Sequence, residues 1–397
     1  RGGHFFLVRK PHVGRGAMPR KVAIVSVAQI GGADSKENFY DQAYRVVKEA
    51  LDKAGISREK VGCVVTAASD IFHGGISCAN AYHWDPAGAV LRNGSRQDAE
   101  SLFALVYGAM RIMSGHYDTA LVVGLCKGSE NPENDTCTLM FSDPFYFRPL
   151  GLNETMAAAL QMRLFMDHYG ITREQCAKVA VKNLRNALGN PYAHRKGIYS
   201  AEEILASRPV VEPLTELECA PKSEGMAALV LASEEMARKL TDRPVWIEGF
   251  GTSLDAYWIG DRDLLQGQLT NAAKRAYEMA GITAPSEQIH LAEITEPYAF
   301  QELLWYEQLG FCGPGQGGKL IDQGVTEKGG LLPVNPSGGT LAWNPYVSRG
   351  LHRAIEAFLQ IREEAGERQV HREVKTALVH GTHGFAGQCH TVVILGS

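Results

Sequence analysis

Between Pro333 and Gly350 the chain reads PVNPSGGTLAWNPYVSRG and then enters LHRAIEAFLQIREE. Three prolines, three glycines and two asparagines bend this backbone sharply just ahead of a helix. A dense turn feeding a helix N-terminus gathers backbone N–H groups that can hold an anion or a developing negative charge. The amides of Gly338 and Gly339 are candidates for that work, and Asn344 and Tyr346 add side chains able to hydrogen-bond. The same spacing also fits an ordinary tight turn between a strand and a helix. A second candidate region is the long loop 129–156, which carries four aromatics and Arg148. Loops of that length inside a compact domain are usually functional. GPGQGG at 313–318 is no dinucleotide fingerprint, because it follows a helical pattern and not a strand.

Composition narrows the chemistry. The eight cysteines show neither CxxC nor metal-ligand spacing, so they read as reduced thiols in a cytoplasm, with no bound metal expected. With a formal charge of −4 and no long basic run, nucleic acid is not an expected partner. No apolar run reaches membrane-spanning length and no secretory signal is visible, so no membrane association is expected. Apolar residues make up 45% of the 397, enough for a large core. Residues 1–17 are basic and precede Met18, and read as a tag or upstream extension.

The elements that must position these groups follow from periodicity. KVAIVSVAQI, VGCVVTAAS, TALVVGLCKG and MAALVLAS are near-continuous apolar runs, as expected of strands covered on both faces. AESLFALVYGAMRIM, at 99–113, is apolar all round after its first turn and should lie between two layers. Helices are expected at about Tyr40–Ala54, Ala157–Tyr169 and Arg173–Leu188. From Pro244 the pattern restarts: PVWIEGFGTS, a helix to Gly281, QIHLAEI, PYAFQELLWYEQLG and VKTALVHG. KEALDKAGIS at 48–57 returns as KRAYEMAGIT at 274–283, and TALVVG at 119–124 returns as TALVHG at 376–381. Two matches in the same element order make this a duplication. The halves are 18–243, with a loop insertion at about 129–224, and 244–397. Two βαβ-rich halves predict an α/β fold with two mostly parallel sheets and helices between and outside them.

These residues resemble the thiolase superfamily. The resemblance covers about 19–397 in order and is nearest to sterol-carrier-type thiolases and their thiolase-like relatives. It rests on the loop at 333–350, the strands TALVVG and TALVHGTHG, SGHYDTALVVG, and AEITEPYAFQELLWYEQLGFCGPGQGG. The resemblance implies a five-layer α/β/α/β/α sandwich, a coenzyme A thioester as substrate with no bound cofactor, and a homodimer. In that family a cysteine at the N-terminus of the buried helix takes the acyl group, its pKa lowered by the helix end. A Gly-His-Pro histidine activates it, and a second cysteine in the last loop moves a proton.

This sequence departs at each position. The nucleophile's place, seventeen residues ahead of Gly115, holds Asp98. Gly-His-Pro falls on Trp343, Asn344 and Pro345; the oxyanion residue of the central signature falls on Thr295, and the last-loop cysteine near His380. A carboxylate is a poor substitute for a thiolate in acyl transfer, although Asp98 also fits a helix N-cap. The groups expected to converge are Asp98, Tyr298, Tyr346, His380, His383 and Asn344, with amides of the glycine loops including Gly384. Such a set suits proton transfer, as in retro-aldol cleavage of a β-hydroxyacyl thioester, with an enolate to be stabilised. Thiolase-like aldolases of sterol side-chain breakdown also lack the cysteine and use tyrosines, which fall at Tyr298 and nearest Tyr346. They work with a small OB-fold/zinc-ribbon partner, which here would be a separate chain. Arg148 is then a candidate contact for a coenzyme A phosphate or the substrate. A displaced-residue acyltransferase and a non-catalytic scaffold subunit are the alternatives. His352, His194 and His73 read as surface or loop histidines.

Overall fold

The computed structural model describes residues 20–32, 35–73, 82–98 and 100–397, so the extension at 1–17 lies outside the described residues. The first half contributes β1 (Val22–Gly32), α1 (Phe39–Ala54), β2 (Cys63–Ala67), β3 (Asn93–Gln97), α2 (Ser101–Met113) and β4 (Thr119–Cys126). An insertion carries α3 (Glu154–Tyr169) and α4 (Arg173–Asn186), and β5 (Glu224–Ser233) closes the half. The second half repeats the plan with β6 (Val245–Leu254), α5 (Leu269–Ala280), β7 (Leu291–Ile294), α6 (Ala299–Gln308), α7 (Arg349–Ile361), β8 (Thr376–His383) and β9 (Cys389–Gly396).

The strands form one nine-stranded sheet in the order β3-β2-β4-β5-β1-β6-β9-β8-β7. Among the described residues its halves are joined only where Ala23 pairs Trp246 and Ile24 pairs Val245. Helices α2 and α7 pack on each other and on strands of both halves, α1 covers β1 and β5 outside, and α5 covers β6 and β9 outside. The layers are therefore the expected α/β/α/β/α sandwich. The expectation of mostly parallel strands is corrected: among the described residues only the strand pairs β2–β3, β2–β4 and β7–β8 run parallel. In each half a βαβ unit is followed by antiparallel strands. In the second half the tight turn 384–388 between β8 and β9 is short enough to allow only an antiparallel return.

The duplication persists in the pairing. β2 has β3 as its parallel neighbour, and β7 has Val334, which makes a parallel bridge to Ala292. The stretch from Pro333 is thus an edge of the second half. Asn335 (φ 53°) holds it there, its amide N–H donating to the Ala292 carbonyl (2.9 Å) and its Oδ1 accepting from Ile294 N–H (2.8 Å). A buried helix needs close packing on its sheets, and Gly108 provides it in α2, where a Cβ would lie 2.8 Å from Val122. His352 is not a surface histidine. It is buried on α7, which is enclosed between the layers, with Nδ1 2.8 Å from Gln29 Oε1 and Nε2 3.2 Å from Ser348 Oγ. GPGQGG leads into a short helix, Gly317–Asp322.

Candidate active site

Helix α3 begins at Glu154, earlier than its apolar pattern implies, because Asn153 Oδ1 accepts from the Met156 N–H (2.9 Å) and caps it. That cap sets Glu154 and Thr155 on the first turn, facing the second half. Helix α7 begins at Arg349, directly after the turn-rich stretch. Arg349 is buried, with Nη2 donating to the Thr382 carbonyl (2.7 Å), Nη1 to Asn344 Oδ1 (3.3 Å), and Glu154 Oε1 3.8 Å away.

Tyr346 is held flat between two partners. Its ring stacks on Phe72 at 4.0 Å, and the Arg349 guanidinium lies 4.2 Å from its centroid. Its hydroxyl donates to Glu154 Oε1 at 3.3 Å. Tyr298 sits just before α6 and bridges to Cys219. Its hydroxyl lies 2.7 Å from Thr155 Oγ1, which in turn donates to Asp135 Oδ1 at 2.6 Å. Neighbouring residues of one helix turn therefore each meet a tyrosine from the other half.

These groups border a cleft of about 360 Å³ whose walls include Asp135, Glu154, Thr155, Cys219, Tyr298 and Asn344. Tyr346 is not in the wall; it reaches the cleft through Glu154. Burial pushes the Glu154 carboxyl up to about 7, against the opposing pull of Arg349. Burial likewise raises Asp135, and it holds both tyrosines well above the usual phenol range, with the nearby Glu154 charge adding to the effect. The Cys219 thiol is raised too, by burial and then by Glu218. At neutral pH the cleft thus presents a half-ionised carboxyl and protonated hydroxyls, and no thiolate at Cys219.

Other expected site residues lie elsewhere. Asp98 is exposed, and Glu100 is the buried cap of α2, its carboxylate accepting from Leu102 N–H (2.9 Å) and Phe103 N–H (2.8 Å). The helix end where the resemblance puts a thiolate is filled by this side chain, because a buried helix terminus needs an acceptor for its free N–H groups. His380 pairs with His390 (3.0 Å) beside Trp305, and neither His380 nor His383 is in the cleft wall. Burial lowers all three imidazoles, His383 to about 4 and His390 to about 3, so they are neutral. Thr295 donates to the His380 carbonyl from both its N–H (3.1 Å) and its hydroxyl (3.0 Å).

The amides of the turn-rich stretch are also committed. Ser337 N–H donates to Glu293 (3.1 Å) and Leu341 N–H to Glu296 (3.2 Å), so the acceptors they serve belong to the chain itself. Gly338 and Gly339 have φ of 100° and 65°, and a Cβ at Gly339 would collide with the Glu296 carboxylate; neither borders the cleft. Gly384 (φ 81°) serves the β8–β9 turn. Arg148 donates to the carbonyls of Met140 (3.1 Å) and Ser142 (2.9 Å), bracing its own loop.

Glu154 and Arg349 were not legible as site residues. A glutamate in a first helical turn is an ordinary complement to the helix dipole. The available signal was Arg349, a cation at the unfavourable end of its helix. Among the described residues no group of histidine, cysteine and carboxylates is placed to hold a metal, and no helix is long and apolar enough to cross a membrane.

The thiolase N-terminal domain model matches residues 22–235 and the thiolase C-terminal domain-like model residues 251–397. The chain is 34% identical over 294 residues to acetyl-CoA acetyltransferase from Methanothermobacter thermautotrophicus, spanning 73% of this chain and 75% of that one. It is 30% identical over 390 residues to human sterol carrier protein 2, across 91% of this chain and 69% of that protein. Among solved structures the Ltp2-ChsH2(DUF35) aldolase superposes with a TM-score of 0.82 at 24% identity, covering 96% of this chain and 99% of that one. Human mitochondrial 3-ketoacyl-CoA thiolase superposes at 0.69 and 17% identity, over 95% of this chain and 99% of its own. With both halves of the duplicated sandwich matched, together with the loops that build the cleft, the chain belongs to the thiolase family.

Proposed function

We propose that this protein is a carbon–carbon lyase that cleaves a β-hydroxyacyl-CoA by a retro-aldol reaction. The observation that carries the proposal is the cleft wall: proton-carrying oxygens on Tyr298 and Glu154, with Tyr346 bonded to Glu154. Removing the β-hydroxyl proton releases the carbonyl product and leaves a thioester enolate, which is then protonated. Asn344 borders the cleft with its Oδ1 taken by Arg349, so its NH₂ end is the donor for the enolate oxygen. The likeness in fold to an aldolase that is named with a DUF35 subunit supports the same reading. In this proposal the working unit is a homodimer joined by a small zinc-ribbon partner.

Acyl transfer is the second reading, favoured by the acetyl-CoA acetyltransferase relative. It needs a thiolate in the cleft, and Cys219, on a strand bridge to Tyr298, is held protonated by burial and by the neighbouring Glu218 charge. The deciding measurement incubates the protein, with and without a zinc-ribbon partner, with β-hydroxyacyl-CoA, and separately with β-ketoacyl-CoA plus free coenzyme A. Carbonyl release without added coenzyme A is the expected result, whereas cleavage that requires coenzyme A overturns the lyase. Cys219→Ser is expected to keep turnover within about twofold, since a thiol held protonated is not a nucleophile and the lyase does not use one. A loss of about a hundredfold would favour acyl transfer instead, the scale of losing a nucleophile.

A further inference from the structure

We propose that the α3 N-terminus divides the two proton transfers: Glu154 accepts the β-hydroxyl proton with Tyr346 and Arg349 as its positioning groups, and Tyr298 gives a proton to the enolate carbon, resupplied through Thr155 and Asp135. This rests on the lyase reading above.

The geometry separates an accepting branch from a donating one. Glu154 Oε1 receives the Tyr346 hydroxyl (3.3 Å) and faces the Arg349 guanidinium (3.8 Å), two donors that favour its ionised, proton-accepting form. Tyr346 is outside the cleft wall and Glu154 is in it, so substrate meets the carboxyl and not that phenol. Tyr298 is in the wall, and behind its hydroxyl stand Thr155 Oγ1 at 2.7 Å and Asp135 Oδ1 a further 2.6 Å on. Asp135 also borders the cleft and is half-buried, so it can exchange protons with solvent there.

The groups around Glu154 fit these roles. Arg349 comes from α7, Tyr346 from the preceding turn, and Asp135 from the insertion, and Tyr298 feels the Glu154 charge from the start of α6. Burial keeps Tyr298 protonated, so it starts with the proton it gives, while Glu154 near 7 is half ionised at neutral pH. The substrate O–H breaks to Glu154, the Cα–Cβ bond supplies the electrons of the enolate and the new carbonyl, and the Tyr298 O–H breaks as Cα–H forms. Thr155 then returns a proton to Tyr298, Asp135 to Thr155, and water to Asp135; Glu154 gives its proton to water.

Two half-reactions test this. In D₂O with a short acyl-CoA such as acetyl-CoA as the probe, the wild-type protein should exchange Cα–H for deuterium through the Tyr298 branch alone. Tyr298 takes the Cα proton as its own passes by Thr155 to the Asp135 carboxylate, and the reverse transfer returns deuterium. Thr155→Val should lower that exchange by about tenfold or more, the usual scale for a lost acid–base group, and Thr155→Ser should restore it. Glu154→Gln should abolish retro-aldol turnover while Cα exchange persists. Wild-type kcat/KM should rise with pH through about 7 as Glu154 ionises, and this limb should vanish in Glu154→Gln. A limb unchanged in Glu154→Gln, or equal loss of exchange in both variants, overturns the division of labour. If the wild type neither cleaves a β-hydroxyacyl-CoA nor exchanges Cα–H, the lyase reading itself fails; exchange and cleavage that ignore both substitutions sink the relay alone.

Discussion

Replacing Tyr346 with phenylalanine is expected to lower turnover by more than about tenfold while leaving the fold intact, the scale on which acid–base groups act. The ring does the packing: it stacks on Phe72 and lies under Arg349, and phenylalanine keeps both contacts. What is lost is the hydroxyl bond to Glu154. A hydrogen-bond donor to a carboxylate favours its charged form, so without it the Glu154 carboxyl rises further from about 7. The active fraction at neutral pH falls, and the acid limb of the pH profile moves upward. Loss of turnover with an unmoved limb would mean that the hydroxyl acts other than through Glu154. Near-wild-type turnover would remove it from the mechanism.

The second large effect concerns stability. Lys182→Met should cost about 3–5 kcal/mol in urea denaturation, because breaking a buried ion pair leaves its partner's charge uncompensated. Lys182 Nζ lies 2.6 Å from Glu302 Oε1 and donates to the Val334 carbonyl at 2.7 Å, with both side chains fully enclosed. Glu302 also takes the amides of Asn183 and Asn335, each at 2.8 Å, and the Tyr306 hydroxyl. This network ties α4 and α6 to the start of the turn-rich stretch, so its loss should also lower turnover by loosening the route to Arg349. The double variant Lys182→Met/Glu302→Gln should recover part of the stability, because it removes the stranded charge as well. A single-variant loss under about 1 kcal/mol, the size of a surface ion pair, would mean that the pair is solvated in solution.

Much of the fold could be read from the chain. Apolar runs too continuous for a surface strand marked β1, β2, β4 and β5, and a helix apolar all round marked α2 as enclosed. The returning segments AGIS/AGIT and TALVVG/TALVHG fall at the ends of α1 and α5 and on β4 and β8, the same places in each half. Strand direction was not readable in this way, since a buried parallel strand and a buried antiparallel strand carry the same apolar pattern.

The site divides differently. Periodicity, duplication and resemblance determined the sandwich and marked Asp98, Tyr298 and Tyr346 as candidates, because each is local in the chain or repeats along it. The tertiary structure alone decided which groups meet. Glu154 and Tyr346 are 192 residues apart, and Thr155 and Tyr298 are 143. Burial is likewise a property of the assembled layers. It moves Glu154 toward neutrality, keeps His380 and His383 uncharged away from the cleft wall, and leaves Asp98 on the surface beside the capping Glu100. It also turns the amides at Ser337 and Leu341 inward, where the chain's own Glu293 and Glu296 take the hydrogen bonds that the turn had on offer, since a buried carboxylate without donors would cost more than the fold can supply.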